Sequence, residues 1–370
     1  MRTRLITALL LFTFCLSISW LPTTRVQAEP SALRLAVFID TDTGVDDAVA
    51  IALLLRAPRV TMLGITTVAG NTSADNATQN VLTLLDVAGR RVPVAEGAAA
   101  PLVFAASRVG KFIHGPDGLW FAQRPHDLAS VSHDAPLAIA AAARAYPTMT
   151  LLALGPLTNI AEAIRRYPQD LARVNIVALV GAQRGGNRSP VAETNAFNDP
   201  QALDAVVKSS VNLTLITLDA FNQVQLNPTA VNQALLNARD PLLQFLAAPV
   251  SLYARAQTQG QNLPITLPDA VAALYVLRPQ IAVAQGAVIA VQTDAGQTRG
   301  ETVIATDPNQ KVFMIADDAE LSALADAVFS GQADPNVEIG KILARHPDDA
   351  QVVVSLKQSA TMRELVEGAQ

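Results

Sequence analysis

The chain has 370 residues, 50% of them hydrophobic and 16% charged, with a net charge of −5. This composition excludes an intrinsically disordered chain, and the acidic balance argues against nucleic acid or an anionic membrane as partner, because both select basic surfaces. Aromatic residues make up only 5%, so the core has to be built mainly from Ala, Leu, Val and Ile.

The first predicted element is a targeting segment. Arg2 and Arg4 precede an apolar run from Leu5 to Trp20, and Val26-Gln27-Ala28 offers small residues where a signal peptidase inspects the chain. The run is short for a membrane span of about 20 residues. Residues 1–28 are therefore expected to be a cleaved signal peptide, giving an exported (periplasmic or secreted) protein with no stable membrane anchor. The single cysteine, Cys15, lies inside this segment, and Phe14 before it does not suit a lipidation site. The mature chain, residues 29–370, then has no thiol and no disulfide, and is held together by its core.

Apolar, strand-like runs alternate with helical stretches over most of the remaining length. RLAVFI precedes DDAVAIALLLRA, VTMLGITTVAG precedes DNATQNVLTLLDVAG, and VPVAEG opens a long loop-rich stretch. APLAIAAAARAYP then precedes TMTLLALG, LTNIAEAIRRYP precedes VNIVALVG, and DPQALDAVVKS precedes VNLTLITL. Continuous apolar strands interleaved with helices predict an α/β fold, a single domain with a mostly parallel sheet covered on both faces. Ligands of such sheets sit beyond the carboxyl ends of the strands. The residues there are DTDTGVDD, Gly70-Asn71, Thr158-Asn159, and a loop carrying Asn187, Glu193 and Asn195.

Four aspartates, Asp40, Asp42, Asp46 and Asp47, fall within eight positions after the first strand. Carboxylates so close raise one another's pKa, and either a shared proton or a cation relieves them. An all-oxygen ligand set suits a hard cation, Ca²⁺ or Mg²⁺. Asp46 and Asp47 also fall where the next helix starts, and the helix dipole favours an acid there. Capping accounts for one or two of the four acids, not for all. An Asp-x-Asp pair after a buried strand also opens the haloacid-dehalogenase-like phosphatases, in which the first Asp is a nucleophile and Mg²⁺ is bound. Gly44 stands where that pattern has Thr or Val.

DTDTGVDDA (residues 40–48) resembles the N-terminal signature of the inosine-uridine-preferring nucleoside hydrolases. ITTVAGN (65–71), HGPDG (114–118), LGPLTNIA (154–161), VAETNAFNDP (191–200) and PDAVAALYV (268–276) resemble later segments of that family in the same order, covering about residues 35–330. The resemblance implies a single α/β domain with a Rossmann-like central sheet. It also implies hydrolysis of the N-glycosidic bond of ribonucleosides with bound Ca²⁺, and assembly into a homo-oligomer, dimer or tetramer. Carried over by motif position, Asp42 is a calcium ligand and the general base on a bound water, Asp47 is a second ligand, and Asp269 a third. Leu154 contributes its backbone carbonyl. Asp46 grips a ribose hydroxyl with Asn71 supporting the cluster, Glu193, Asn195 and Asn187 hold the remaining hydroxyls, and Asp40 orients the others from behind.

The inosine-uridine branch carries a His before the late aspartate to help protonate the departing base, and here that position is Pro268. The proton then has to come from elsewhere. His114, Tyr253 and Arg255 are the candidates, with Trp120 as a surface on which a purine could stack. An exported nucleoside- or ribose-binding protein without turnover is the alternative from another class. The stretch after about residue 335 reads as partly helical and carries no motif.

Overall fold

A computed structural model describes residues 34–106, 109–331, 333–358 and 360–361 of the chain. The expected signal segment, residues 1–28, lies outside the described residues. From Leu35 onward the chain is one compact unit.

The first alternating pair becomes β1 (Leu35–Thr41) and α1 (Val45–Arg56). Successive side chains of a strand point to opposite faces. Val37 and Ile39 accordingly join one core cluster, while Phe38 joins the other. Because both faces of the sheet are covered, β1 needs no polar side chains along its middle. Packing surrounds α1 as well: Val45 through Leu55 are all buried, so this helix has no water-facing stripe.

The remaining strands are β2 (Val60–Thr67), β3 (Val94–Glu96), β4 (Thr150–Ala153), β5 (Asn175–Leu179), β6 (Asn212–Ile216), β7 (Ala282–Val291), β8 (Thr302–Ala305) and β9 (Ala350–Leu356). They form one sheet in the order β3-β2-β1-β4-β5-β6-β9-β7-β8. Pairing is parallel from β3 through to β9, and β7 runs antiparallel to both β9 and β8. The predicted mostly parallel α/β sheet is thus the observed one. Strand order reverses between β1 and β4, a topological switch point where the connections diverge and leave a crevice at the carboxyl ends. DTDTGVDD follows β1, Gly70-Asn71 follows β2 and Leu154 follows β4, so topology alone gathers these segments at one edge.

The C-terminal stretch holds more than the sequence reading assigned to it. Pro335–Arg345 is helical as expected, but Ala350–Leu356 is a strand inserted between β6 and β7. Val352 within it is fully buried and pairs with Leu215 on one side and Gln285 on the other. A short β-branched run such as AQVVVSL has no decisive local period. The open ladders of β6 and β7 decide it. Among the described residues no helix is long and apolar enough to cross a membrane.

Candidate active site and metal centre

The turn after β1 is shaped by its neighbours. Gly44 precedes α1, and a Cβ there would collide with the His114 imidazole and crowd the Asn71 amide. Asp47, in the first turn of α1, reaches back to accept from Gly44 N at 2.8 Å and also accepts from Thr41 Oγ1. It therefore does cap the helix. Asp42 is cradled by the next loop, accepting from Asn71 N at 2.7 Å on Oδ2 and from Asn71 Nδ2 at 3.1 Å on Oδ1. The same Nδ2 donates to Asp47 Oδ2 at 3.1 Å, so one amide ties two carboxylates together. Gly70 is required for this approach, because any Cβ there would run into the Asp42 carboxylate.

Asp40 lies beneath the cluster and accepts from Thr66 Oγ1 at 2.6 Å and Asn159 Nδ2 at 2.7 Å. Burial lifts its carboxyl to about 7 against those two hydrogen bonds. Asp269 arrives from far along the chain, in the first turn of the Pro268–Leu277 helix. Proline suits the first helical position, whose N–H has no intrahelical partner. The helix start therefore accommodates the proline that stands where a donor was looked for.

Ligand oxygens of Asp46, Asp47 and Asp269 all lie within 4.8 Å of one another, and all three residues are buried. Asp46 Oδ1 and Asp269 Oδ1 are sealed from solvent and have no hydrogen-bond partner. Orphaned carboxylate oxygens of this kind are costly unless a cation or proton meets them. Burial, followed by the charges of Asp46 and Asp47, pushes Asp269 well above the usual carboxylate range. Asp42 is pushed the same way by burial and then by Asp47. An all-oxygen, anion-rich, buried set fits a hard divalent cation. The geometric trio contains Asp46 where the resemblance named Asp42, whose two oxygens are turned to Asn71.

Above this floor opens a cavity of about 410 Å³, of the size that holds a small molecule. Asp46, Asn71, His114, Leu154, Asn187, Glu193, Asn195 and Asp269 line it, whereas Asp40, Asp42 and Asp47 lie beneath, fully buried. The Leu154 carbonyl accepts from Asn195 Nδ2 at 2.7 Å and keeps a second lone pair. The other proton of that amide goes to Leu179 O at 2.9 Å, so only Oδ1 of Asn195 remains for a ligand. Glu193 caps the Thr194–Asn198 helix, accepting from the backbone N of Asn195, Ala196 and Gly181. Burial raises its pKa against these donors. Asn187 Oδ1 accepts from Thr194 Oγ1 at 3.0 Å.

His114 Nδ1 accepts from Val45 N at 3.2 Å and lies 3.6 Å from Asp46 Oδ1. With Nδ1 as acceptor, the neutral ring carries its proton on Nε2. Tyr253 faces the same cavity, its ring 5.5 Å from that of His114. Two other candidates do not reach the wall. Trp120 donates its indole N–H to Ile113 O at 2.8 Å and packs against the core. Arg255 is exposed, since two residues along a helix is more than half a turn from Tyr253. Gln257, one turn on, was missed. It donates to Tyr253 Oη at 3.1 Å and accepts from Thr266 N at 2.8 Å. Its i,i+4 spacing from Tyr253 was the available signal.

Comparison with known proteins bears on this site. The sequence model of a family described as inosine-uridine preferring nucleoside hydrolase matches residues 37–352. The non-specific ribonucleoside hydrolase RihC of Salmonella paratyphi B is 34% identical over 274 residues, 73% of this chain and 87% of the relative. Among solved structures, a plant nucleoside hydrolase, the PpNRh1 enzyme, superposes with a TM-score of 0.76 at 26% identity, over 90% of this chain and 98% of that one. A purine-preferring ribonucleoside hydrolase from Gardnerella vaginalis gives 0.73 at 25% identity, with the same coverage of both chains.

Proposed function

This chain belongs to the inosine-uridine preferring nucleoside hydrolase family and is an N-glycosyl hydrolase, and from that premise we propose a calcium-dependent ribonucleosidase with Asp42 as general base. The observation that carries the metal is the trio Asp46, Asp47 and Asp269 with orphaned oxygens under the cavity. Asp42, Asp47, Asp269 and the Leu154 carbonyl would hold the ion, which when bound compensates their charge and lowers the pKa of water.

Asp42, aimed by the two Asn71 donors, takes the proton of the attacking water. As the C1′–N bond breaks, the ribose becomes cation-like, and buried carboxylates stabilise that charge more than they stabilise the neutral substrate. Asp46, which lines the cavity, accepts a ribose hydroxyl. Asn187, Glu193 and Asn195 take the hydroxyls on the opposite side. His114, which also lines the cavity, donates a hydrogen bond through Nε2–H to the departing base, where Pro268 has no donor. Export after cleavage of residues 1–28 is supported by the basic, apolar and small-residue segments at the start of the chain.

The test is purified protein with a panel of ribonucleosides, following ribose and free base, with chelator and with calcium restored. Release that chelation abolishes and calcium restores is the expected result. Tight binding without release would favour a binding protein, and inorganic phosphate from a phosphomonoester would favour the phosphatase.

A further inference from the structure

One wall of the cavity is cationic, and the chemistry above makes no use of it. Arg188 lines the cavity beside Asn187 and Thr194. Its guanidinium carbon lies 4.4 Å from the centroid of the Phe197 ring. Arg299 lies 4.6 Å from the same ring and 3.5 Å from that of Phe104. Phe104, Arg299, Phe197 and Arg188 thus form a stack of alternating rings and cations that ends at the cavity.

Stacking on an aromatic face orients a guanidinium while leaving its in-plane N–H donors free for an anion. Arg188 Nε is buried with no partner, and no carboxylate among the described residues pairs with this side chain. Asn198 lines the cavity too, is 3% exposed, and has an unpartnered Oδ1. Its Nδ2 is the amide atom that is not sealed, and it can donate to an anion. Burial lowers the pKa of Arg299, Asp199 works against that, and the like charge of Arg188 adds to it. An anion beside Arg188 relieves a repulsion already present in the stack.

Where a substrate would meet Arg188 rests on the nucleosidase reading, in which Asn187, Glu193 and Asn195 hold the ribose hydroxyls opposite the acid floor, with Arg188 beside Asn187 on that side. We propose that Arg188, with Asn198, forms an anion subsite for a 5′-phosphate, and that nucleoside 5′-monophosphates are substrates, cleaved to free base and ribose 5-phosphate. Water adds across the C1′–N bond. The C1′–O bond forms as C1′–N breaks, Asp42 takes a proton from the attacking water, and the departing nitrogen gains one from solvent water. The phosphate ester stays intact, and no redox partner is involved.

The experiment compares inosine and uridine with their 5′-monophosphates, measuring free base, ribose 5-phosphate and inorganic phosphate separately, for wild type, R188Q and R188K. In wild type, kcat/KM for the monophosphate is expected to equal or exceed that of the nucleoside. That ratio should fall about 30-fold in R188Q, the loss of a charge-assisted hydrogen bond, and recover partly in R188K. A wild-type ratio far below one, a ratio unmoved by R188Q, or phosphate released ahead of base overturns the proposal. Should R188Q not fold, wild type alone decides. The monophosphate must inhibit nucleoside hydrolysis with a Ki below the nucleoside's KM that weakens as salt rises; a salt-independent Ki overturns the proposal. Release from nucleosides alone sinks only the subsite, whereas no release from any compound sinks the nucleosidase reading and the subsite with it.

Discussion

Tyr253 donates its hydroxyl hydrogen bond to Asp46 Oδ2 at 3.2 Å, joining residues 207 positions apart in sequence. Burial, then the charges of Asp46 and Asp269, holds the Tyr253 pKa well above its ordinary 10.0. The hydroxyl therefore stays a donor at any working pH, and Gln257 fixes where it points. The Y253F variant should lower kcat/KM by about 10- to 100-fold, the value of a hydrogen bond to a charged group. Steady-state kinetics beside a melting curve separates this from unfolding, and a rate within twofold of wild type would contradict it.

Asp42 is the residue whose loss should hurt chemistry most and folding least. In D42N the amide oxygen can still accept from Asn71 N, and the departure of one like charge from a buried cluster offsets the lost bond from Asn71 Nδ2. A fall in kcat of about 10²- to 10⁴-fold is expected from loss of a general base. In chelator, the melting temperature should be unchanged or higher. A D42N protein that turns over normally would remove Asp42 from the mechanism.

Metal-free protein should be more stable in mild acid than at neutral pH. Burial lifts Asp40 from 3.8 to about 7, and Asp42, Asp47, Asp269 and Glu193 are raised as well. Each folded-state value lies above its unfolded one, so the folded protein keeps protons that the unfolded chain releases. Stability from this source is complete below about pH 4 and is lost as pH rises through the folded values, near 7 for Asp40. The melting temperature in chelator should therefore drop between about pH 5 and pH 7. Calcium competes with those protons, so its stabilising effect should grow over the same interval. Scanning calorimetry with and without calcium checks both signs.

G70A is expected to cost about 1–3 kcal/mol, because the new methyl group must displace the Asp42 carboxylate from its cradle. G340A is the matched control. Gly340 lies in the Pro335–Arg345 helix with nothing near its absent Cβ, and alanine there should stabilise by about 0.5–1 kcal/mol. Urea midpoints of the two variants should move in opposite directions.

The inserted strand β9 makes the C-terminal stretch part of the sheet. V352D buries an unpaired carboxylate between β6 and β7 and should cost about 3–5 kcal/mol or prevent folding. Soluble, cooperatively melting protein truncated at residue 345 would show that β9 is dispensable.

By itself the sequence determined the fold class and the chemical character of the site. Continuous apolar strands interleaved with helices, and acids clustered after the first strand, are local patterns whose physics needs no distant partner. Tertiary structure decided which side chains meet. Asp269 completes a trio with Asp46 and Asp47 because strand order reverses beside β1 and the Pro268–Leu277 helix returns there. Trp120 and Arg255 were as plausible as Tyr253 in the sequence, yet helical phase and one hydrogen bond to Ile113 turn them away. The strand AQVVVSL was illegible for a related reason. A short apolar run has no preference strong enough to resist its surroundings, and the unpaired edges of β6 and β7, distant in sequence, chose its conformation.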